Sequence, residues 1–281
     1  MNALPLKGLA GINLKPQHYD EALNLTDPTY WFEVHTENYF VEGGPRLDYL
    51  RKLSQRFPIS FHGVGASLGN TFDRFPKHLQ QVAQLVKEFN PTLVSEHATW
   101  SAHQNNYFAD LLPLPKTKLA LQQLCDGIDR YQNAIGRSIL IENPSNYLDF
   151  TSELDEPDFL MEAVYKTGCG LLVDVNNLYI SHKNCGLDII DYFSRIDPCV
   201  VGEIHIAGFS HDAHFTDSLL IDSHGAPVDD KVWHYLELAL KAFGAVPVLL
   251  ERDDNIPSFN DLRAERETAQ TLLNSLISEV I

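Results

Sequence analysis

What this chain of 281 residues lacks narrows it quickly. It has only four cysteines, Cys125, Cys169, Cys185 and Cys199, with no CxxC pair and no compact spacing. Neither a disulfide scaffold nor a thiolate zinc site is therefore expected, and thiols of this kind suit a reducing, cytoplasmic setting. No stretch approaches the roughly 18 consecutive apolar residues of a membrane span. The opening MNALPLKGLAGINL holds one lysine and no long apolar block. Neither a membrane anchor nor an export signal is expected. Basic residues are scarce, 21 Lys and Arg against 38 Asp and Glu, a formal charge of −17. Such a surface repels phosphate backbones, which argues against a nucleic-acid partner and for cationic peptides or metal ions. Also missing are the Gly-x-Ser-x-Gly elbow, the Walker loop, the His-Glu-x-x-His helix, and a Gly-rich turn after the first strand, where GINLKPQ stands instead.

Present instead is a regular alternation. Short apolar runs recur with helix-like segments between them: GLAGINL (8–14), WFEVHTEN (31–38), ISFHGVG (59–65), TLVSEHATW (92–100), SILIENP (138–144), GLLVDVNN (170–177), VVGEIHIAG (200–208) and PVLLERDD (247–254). The intervening segments place apolar residues three and four apart, as in Leu79, Val82, Leu85, Val86 and Phe89, a stripe for packing on a sheet. Segments 116–135, 156–167 and 229–243 stop at Gly136, Gly168 and Gly244, natural helix ends. Strand and helix alternating eight times is the pattern of a closed parallel barrel. The expectation is an α/β fold, a single-domain (β/α)8 TIM barrel over 1–281 with its site at the C-terminal mouth of the strands; an open doubly wound sheet is the alternative.

Every run after the first ends in ionisable residues, and a barrel brings those ends to one mouth. They are Glu33, His35 and Glu37, then His62, Glu96, His97, Glu142, Asp174, Glu203, His205, Glu251 and Asp253. Because successive side chains point to opposite faces, Glu96 and His97 are not expected to share the lumen, whereas Glu203 and His205 are. Asp174 closes an apolar strand, and burying its charge demands a partner, a proton or a metal. Histidine and carboxylate without thiolate form a nitrogen and oxygen set suited to Fe, Mn or Zn, and cations among them would hold each carboxylate ionised. The stretch GFSHDAHFTDSLLIDSHGAPVDD, 23 residues long, carries more candidates. Asp222 and His224, two apart on an extended segment, are expected to bind metal; His211 and His214 are expected at the solvated surface.

On these residues alone several activities stay open. Glu37, Glu142 and Glu251 as glycosidase acids would leave the histidines idle. A divalent-metal sugar isomerase or epimerase would want a lysine or histidine base, and no lysine stands at a strand end. Hydrolysis of abasic DNA conflicts with the charge. A non-enzymatic metal store is the plainest option.

In fixed order along nearly the whole chain, FHGVGASLG, SEH, IENPSNY, VDVNNLYIS, EIHIAGF, IDSHGAPV and LLERDDNIP resemble the multinuclear non-haem iron-dependent oxidases, a family similar to the oxidase of methanobactin biosynthesis. The resemblance implies two or three iron ions and dioxygen as co-substrate. It implies modification of cysteine, or another residue, in a ribosomally made precursor peptide, commonly with a small partner protein that presents the peptide. Carried over by motif, His62, His97 and Glu142 would hold one iron, with Glu142 bridging to a second held by Asp174, His205 and Glu251. Asn177, Asp222 and His224 would line a third position or the substrate side, the last two as candidate catalytic groups. Where that family shows Asn-His-Gly, this chain has Asn184-Cys185-Gly186. The third metal is thereby left open, with His182 as a substitute at a different offset, and Cys185 reads as a soft ligand, a redox thiol or a small buried residue.

Overall fold

The computed structural model describes residues 6–70, 76–103, 106–148, 150 and 152–280. Parallel strands β1 (Ala10–Asn13), β2 (Phe32–His35), β3 (Ile59–Gly63), β4 (Leu93–His97), β5 (Leu140–Glu142), β6 (Gly170–Asp174), β7 (Val201–Ile206) and β8 (Val248–Leu250) follow one another around a closed barrel. The ring closes where β1 pairs with β8, Gly11 opposite Leu249. Each expected run contains one strand, trimmed at its end for a local reason. Thr36 begins a 3-10 turn, Thr99 begins a hairpin, and Asp174 caps the next helix.

Outside lie the crossover helices, held by the residues that their spacing implies. In Lys118–Ile135, Leu121, Leu124, Ile128 and Tyr131 are buried, the Thr117 side chain accepts the Ala120 N–H, and Gly136 ends the helix in the left-handed region at φ 71°. Glu156–Thr167 ends the same way at Gly168. Two hairpins depart from the alternation. Thr99–His103 with Asn106–Pro113 follows β4, where no such element is expected, and Ser210–Asp212 with Thr216–Ile221 gives structure to the long stretch after β7.

Inside the barrel the alternation of side chains stacks unlike layers. Trp31, Leu249 and Leu6 form an apolar plug separate from the main core, with Leu9 and Leu93 packed on it. Gly11 is required there, since a Cβ would lie 2.3 Å from the Trp31 ring. Beyond this plug come Asn13, Glu33, Ser60 and Glu203, all buried. One more step brings His35, His62, His97, Glu142, Asp174, His205 and Glu251 to the mouth. Glu96 turns the other way, accepting the Ala66 N–H at 3.1 Å behind the barrel wall, as alternation requires.

Candidate metal centre

The ends of β3, β4 and β5 bring together His62, His97 and Glu142, all buried. Ser95 Oγ lies 2.8 Å from His62 Nδ1, and the Gly63 carbonyl accepts from His97 Nδ1 at 3.1 Å. A carbonyl only accepts, so His97 carries a proton on Nδ1, and Nε2 is the nitrogen that would turn a lone pair to a cation once its own proton leaves. The two Nε2 atoms lie 3.2 and 3.3 Å from Glu142 Oε2. His62 Nε2 and Glu142 Oε2 are buried with no hydrogen bond.

Glu142 also belongs to a second group with Asp174, His205 and Glu251, whose ligand atoms all lie within 4.8 Å of one another. Asp174 caps the helix Val175–Cys185, one oxygen accepting the Asn177 N–H at 2.6 Å while Oδ2 is left buried without a hydrogen bond. A helix N-terminus favours that carboxylate. Asn143 fixes its main chain from both sides, accepting the Asp174 N–H at 2.9 Å and donating to the Asp174 carbonyl at 3.0 Å. His205 Nδ1 stands 3.2 Å from Glu251 Oε2.

Asn177, Asp222 and His224 gather beside this group. Asp222 is fixed by Ser145 Oγ at 3.1 Å, by Asn176 Nδ2 at 3.1 Å, and by donation of its N–H to Tyr147 Oη at 2.8 Å. The expected extended segment is in fact kinked: His224 is left-handed at φ 46°, rare for a side chain of this size. That kink still delivers His224 Nε2 to 2.7 Å from Asp222 Oδ1, with Nδ1 3.4 Å from Glu251 Oε2. Asn177 donates to the Asn143 carbonyl at 3.1 Å, and its Oδ1 is buried with no hydrogen bond. Every residue carried over by motif therefore reaches one connected cluster.

Charge in that cluster is held by protons. Burial raises Glu142 to about 8 and Asp174 to about 7, against the pull of neighbouring histidines. Burial opposes charge on His97, but Glu142 and Glu96 lift it to about 10. Burial, with His97 and His205 beside it, drives His62 well below the usual range. Glu251 is held well below its ordinary value, burial being overcome by His224 and His205. Divalent cations fit this set: the oxygen and nitrogen donors lack thiolate, and their lone pairs converge at buried, hydrogen-bond-free positions.

Some readings are corrected. Cys185 lies at the far end of its helix, eight residues past Asn177 or about 12 Å of rise, with Sγ directed at the Asn146 carbonyl in a cleft that Lys116 also lines. It is no ligand of this cluster, and His182 Nδ1 is engaged with the Leu187 carbonyl at 2.7 Å. A lysine does reach the mouth: Lys15, two residues past β1, pairs with Asp253. Asp253 also holds His224 Nδ1 at 3.0 Å, and His35 Nε2 lies 3.4 Å from Glu251. A cavity of about 230 Å3 lined by Lys15, His35, Asn38 and Arg46 adjoins them. His211 and His214 are exposed, as expected; Asp217, a further candidate on the same 23-residue stretch, has its side chain outside the described residues.

The model for the family described as RiPP precursor modification enzyme MbnB/TglH/ChrH, that is, for ribosomally synthesised and post-translationally modified peptides, matches residues 9–274. A UPF0276 protein of Caulobacter vibrioides is 46% identical over 267 residues, 95% of each chain. A UPF0276 protein of Bordetella bronchiseptica is 44% identical over 275 residues, 96% of this chain and 95% of that one. Among solved structures, an IOLI protein with a bound zinc atom superposes with a TM-score of 0.61 at 15% identity, covering 97% of this chain and 99% of its own. A D-psicose 3-epimerase does so at 0.57 and 12%, covering 95% and 97%. These last two share the fold. No helix among the described residues is long and apolar enough to cross a membrane. By sequence and by the order of its motifs, the chain belongs to the MbnB/TglH/ChrH family of RiPP precursor modification enzymes.

Proposed function

We propose that this protein is an iron-dependent oxidase that uses dioxygen to modify cysteine, or another residue, in a ribosomally made precursor peptide in the cytoplasm. What supports the reading is the sharing of ligands. Glu142 faces both the His62–His97 pair and the Asp174–His205–Glu251 group, and Glu251 also faces His224. Adjacent cations, two or three per chain, suit multi-electron chemistry better than the single divalent ion that sugar isomerisation or epimerisation needs. Iron held by these residues would supply affinity for a substrate thiolate and the electrons that dioxygen accepts.

The protein's own groups prepare that chemistry. Ser95 and the Gly63 carbonyl fix the outer nitrogens of His62 and His97, so that the inner ones face Glu142. Asn143 and the helix N-terminus orient Asp174. Asp222 and His224, 2.7 Å apart and partly exposed, are assigned both metal binding and proton transfer at the substrate. The charge of −17 favours a basic leader segment on the peptide, with a small partner protein presenting it and no role for nucleic acid.

Protein loaded with iron without oxygen and then given a cysteine-bearing precursor peptide and dioxygen is expected to consume oxygen and change the peptide's mass. His205→Ala should abolish both. Oxygen-independent turnover of free sugars with manganese would replace this reading with the epimerase one.

A further inference from the structure

One layer beneath the ligands, Glu33 on β2 and Glu203 on β7 are fully buried and face a single imidazole. Glu33 Oε2 lies 3.3 Å and Glu203 Oε1 3.6 Å from His205 Nε2. Across the same ring, Nδ1 lies 3.2 Å from Glu251 Oε2. Glu33 Oε1 accepts from Asn13 Nδ2 at 3.3 Å, whereas Glu33 Oε2, both Glu203 oxygens and His205 Nε2 itself are buried without a hydrogen bond. Among the described residues neither acid pairs with a lysine or arginine. Two carboxyls stripped of water are strongly unfavourable unless positive charge reaches them. The ring of His205 is the route by which it does.

The register explains the placement. Leu172 pairs with Glu203 and Asp174 with His205, so Glu203 sits one inward-facing step below the ligand layer; Glu33, opposite Asn13, sits at the same depth. Neither acid can join Glu251 on one cation, because the imidazole stands between them.

We propose that Glu33 and Glu203 are positioning residues for the ion bound through His205. Together they hold the ring proton on Nε2, turn the Nδ1 lone pair toward the position shared with Glu142, Asp174 and Glu251, and lend the ring negative charge that favours the oxidised state of the ion. The inference rests on the metal reading above but concerns residues outside the ligand set.

The test loads wild type, Glu33→Gln, Glu203→Gln and the double variant with Fe(II) alone under anaerobic conditions, then measures affinity against a chelator and the reduction potential of the bound iron. Each single variant is expected to bind the His205-linked ion about 10-fold more weakly and the double about 100-fold. The potential should rise, because the ferric state loses its negative neighbours. Metal-free variants should melt no lower than wild type, since a buried acid becomes an amide of the same shape. Unchanged affinity and potential in the double variant overturn the inference, as does complete loss of one ion with the His205 position still filled, which would make the acids ligands themselves. Should the variants not fold, zinc-loaded wild type with 15N-labelled histidine gives the answer: metal on Nδ1 and a proton on Nε2 of His205 support it, the reverse overturns it. Wild type that takes up no metal overturns the metal reading and this inference together, whereas metal-replete wild type with indifferent variants overturns this inference alone.

Discussion

Replacing Glu142 by glutamine separates the two demands placed on this acid, burial in the free protein and attraction for cations. Burial lifts its carboxyl from 4.5 in the unfolded chain to about 8 in the fold. Between those values the folded state holds the proton and the unfolded state has released it, so the metal-free protein loses stability as pH rises. At pH 7, two and a half pH units above the unfolded value, the loss from this group is about 3 kcal/mol at roughly 1.36 kcal/mol per unit. Glutamine carries no such proton. The difference in stability between Glu142→Gln and wild type should therefore shift in the variant's favour by about 3 kcal/mol between pH 4.5 and 7. At about 2–4 °C per kcal/mol for a chain of this size, that is roughly 6–12 °C in melting temperature. With iron or zinc present the order should reverse, wild type gaining stability by mass action and the variant gaining little. Thermal melts by circular dichroism across that pH range, with and without metal, read both effects. A gap that does not move with pH, or equal metal stabilisation of both proteins, would refute the reasoning.

Metal uptake should release protons from His97, Glu142 and Asp174, so affinity should fall as pH drops below about 10, where His97 takes up its proton, and more steeply below about 8 and then about 7, the values to which burial raises Glu142 and Asp174. Calorimetry in buffers of different ionisation enthalpy measures the release, and uptake without it would contradict the assignment. Asn143→Ala removes both side-chain bonds to the Asp174 main chain and should cost about 1–3 kcal/mol together with metal occupancy; full occupancy with unchanged stability would show that Asp174 needs no such staple. Cys185→Ser should leave the number of bound ions unchanged by elemental analysis, because Sγ faces the Asn146 carbonyl away from the cluster. A lost ion would reinstate the cysteine as a ligand.

The architecture is legible in the linear chain because its two signals are local. Apolar runs of strand length and stripes of helical spacing arise within a few residues of one another, and the positive-φ glycines at 136 and 168 end helices whatever surrounds them. The convergence of the candidate ligands was legible for a related reason: a barrel collects the ends of its strands, so His62, Glu142, Asp174 and His205 could be expected at one mouth before any distance was known. Pairings between residues far apart in the chain gave no such signal. Lys15 is an ordinary loop lysine until β8 brings Asp253 beside it, and Glu33 and Glu203, which carry the same strand-end signal as the other candidates, are related to each other only when closure sets both against His205 Nε2. A question the motif left open is answered the same way. Cys185 occupies a suggestive place in its motif, yet the helical rise carries it out of reach of the cluster. Composition, periodicity and strand-end chemistry thus determined the barrel, the mouth and the donor types. Which oxygens approach one another, which nitrogen of each histidine faces inward, and which acids lie against His205 were decided by tertiary structure, since each depends on contacts between groups far apart in the chain that local sequence cannot relate.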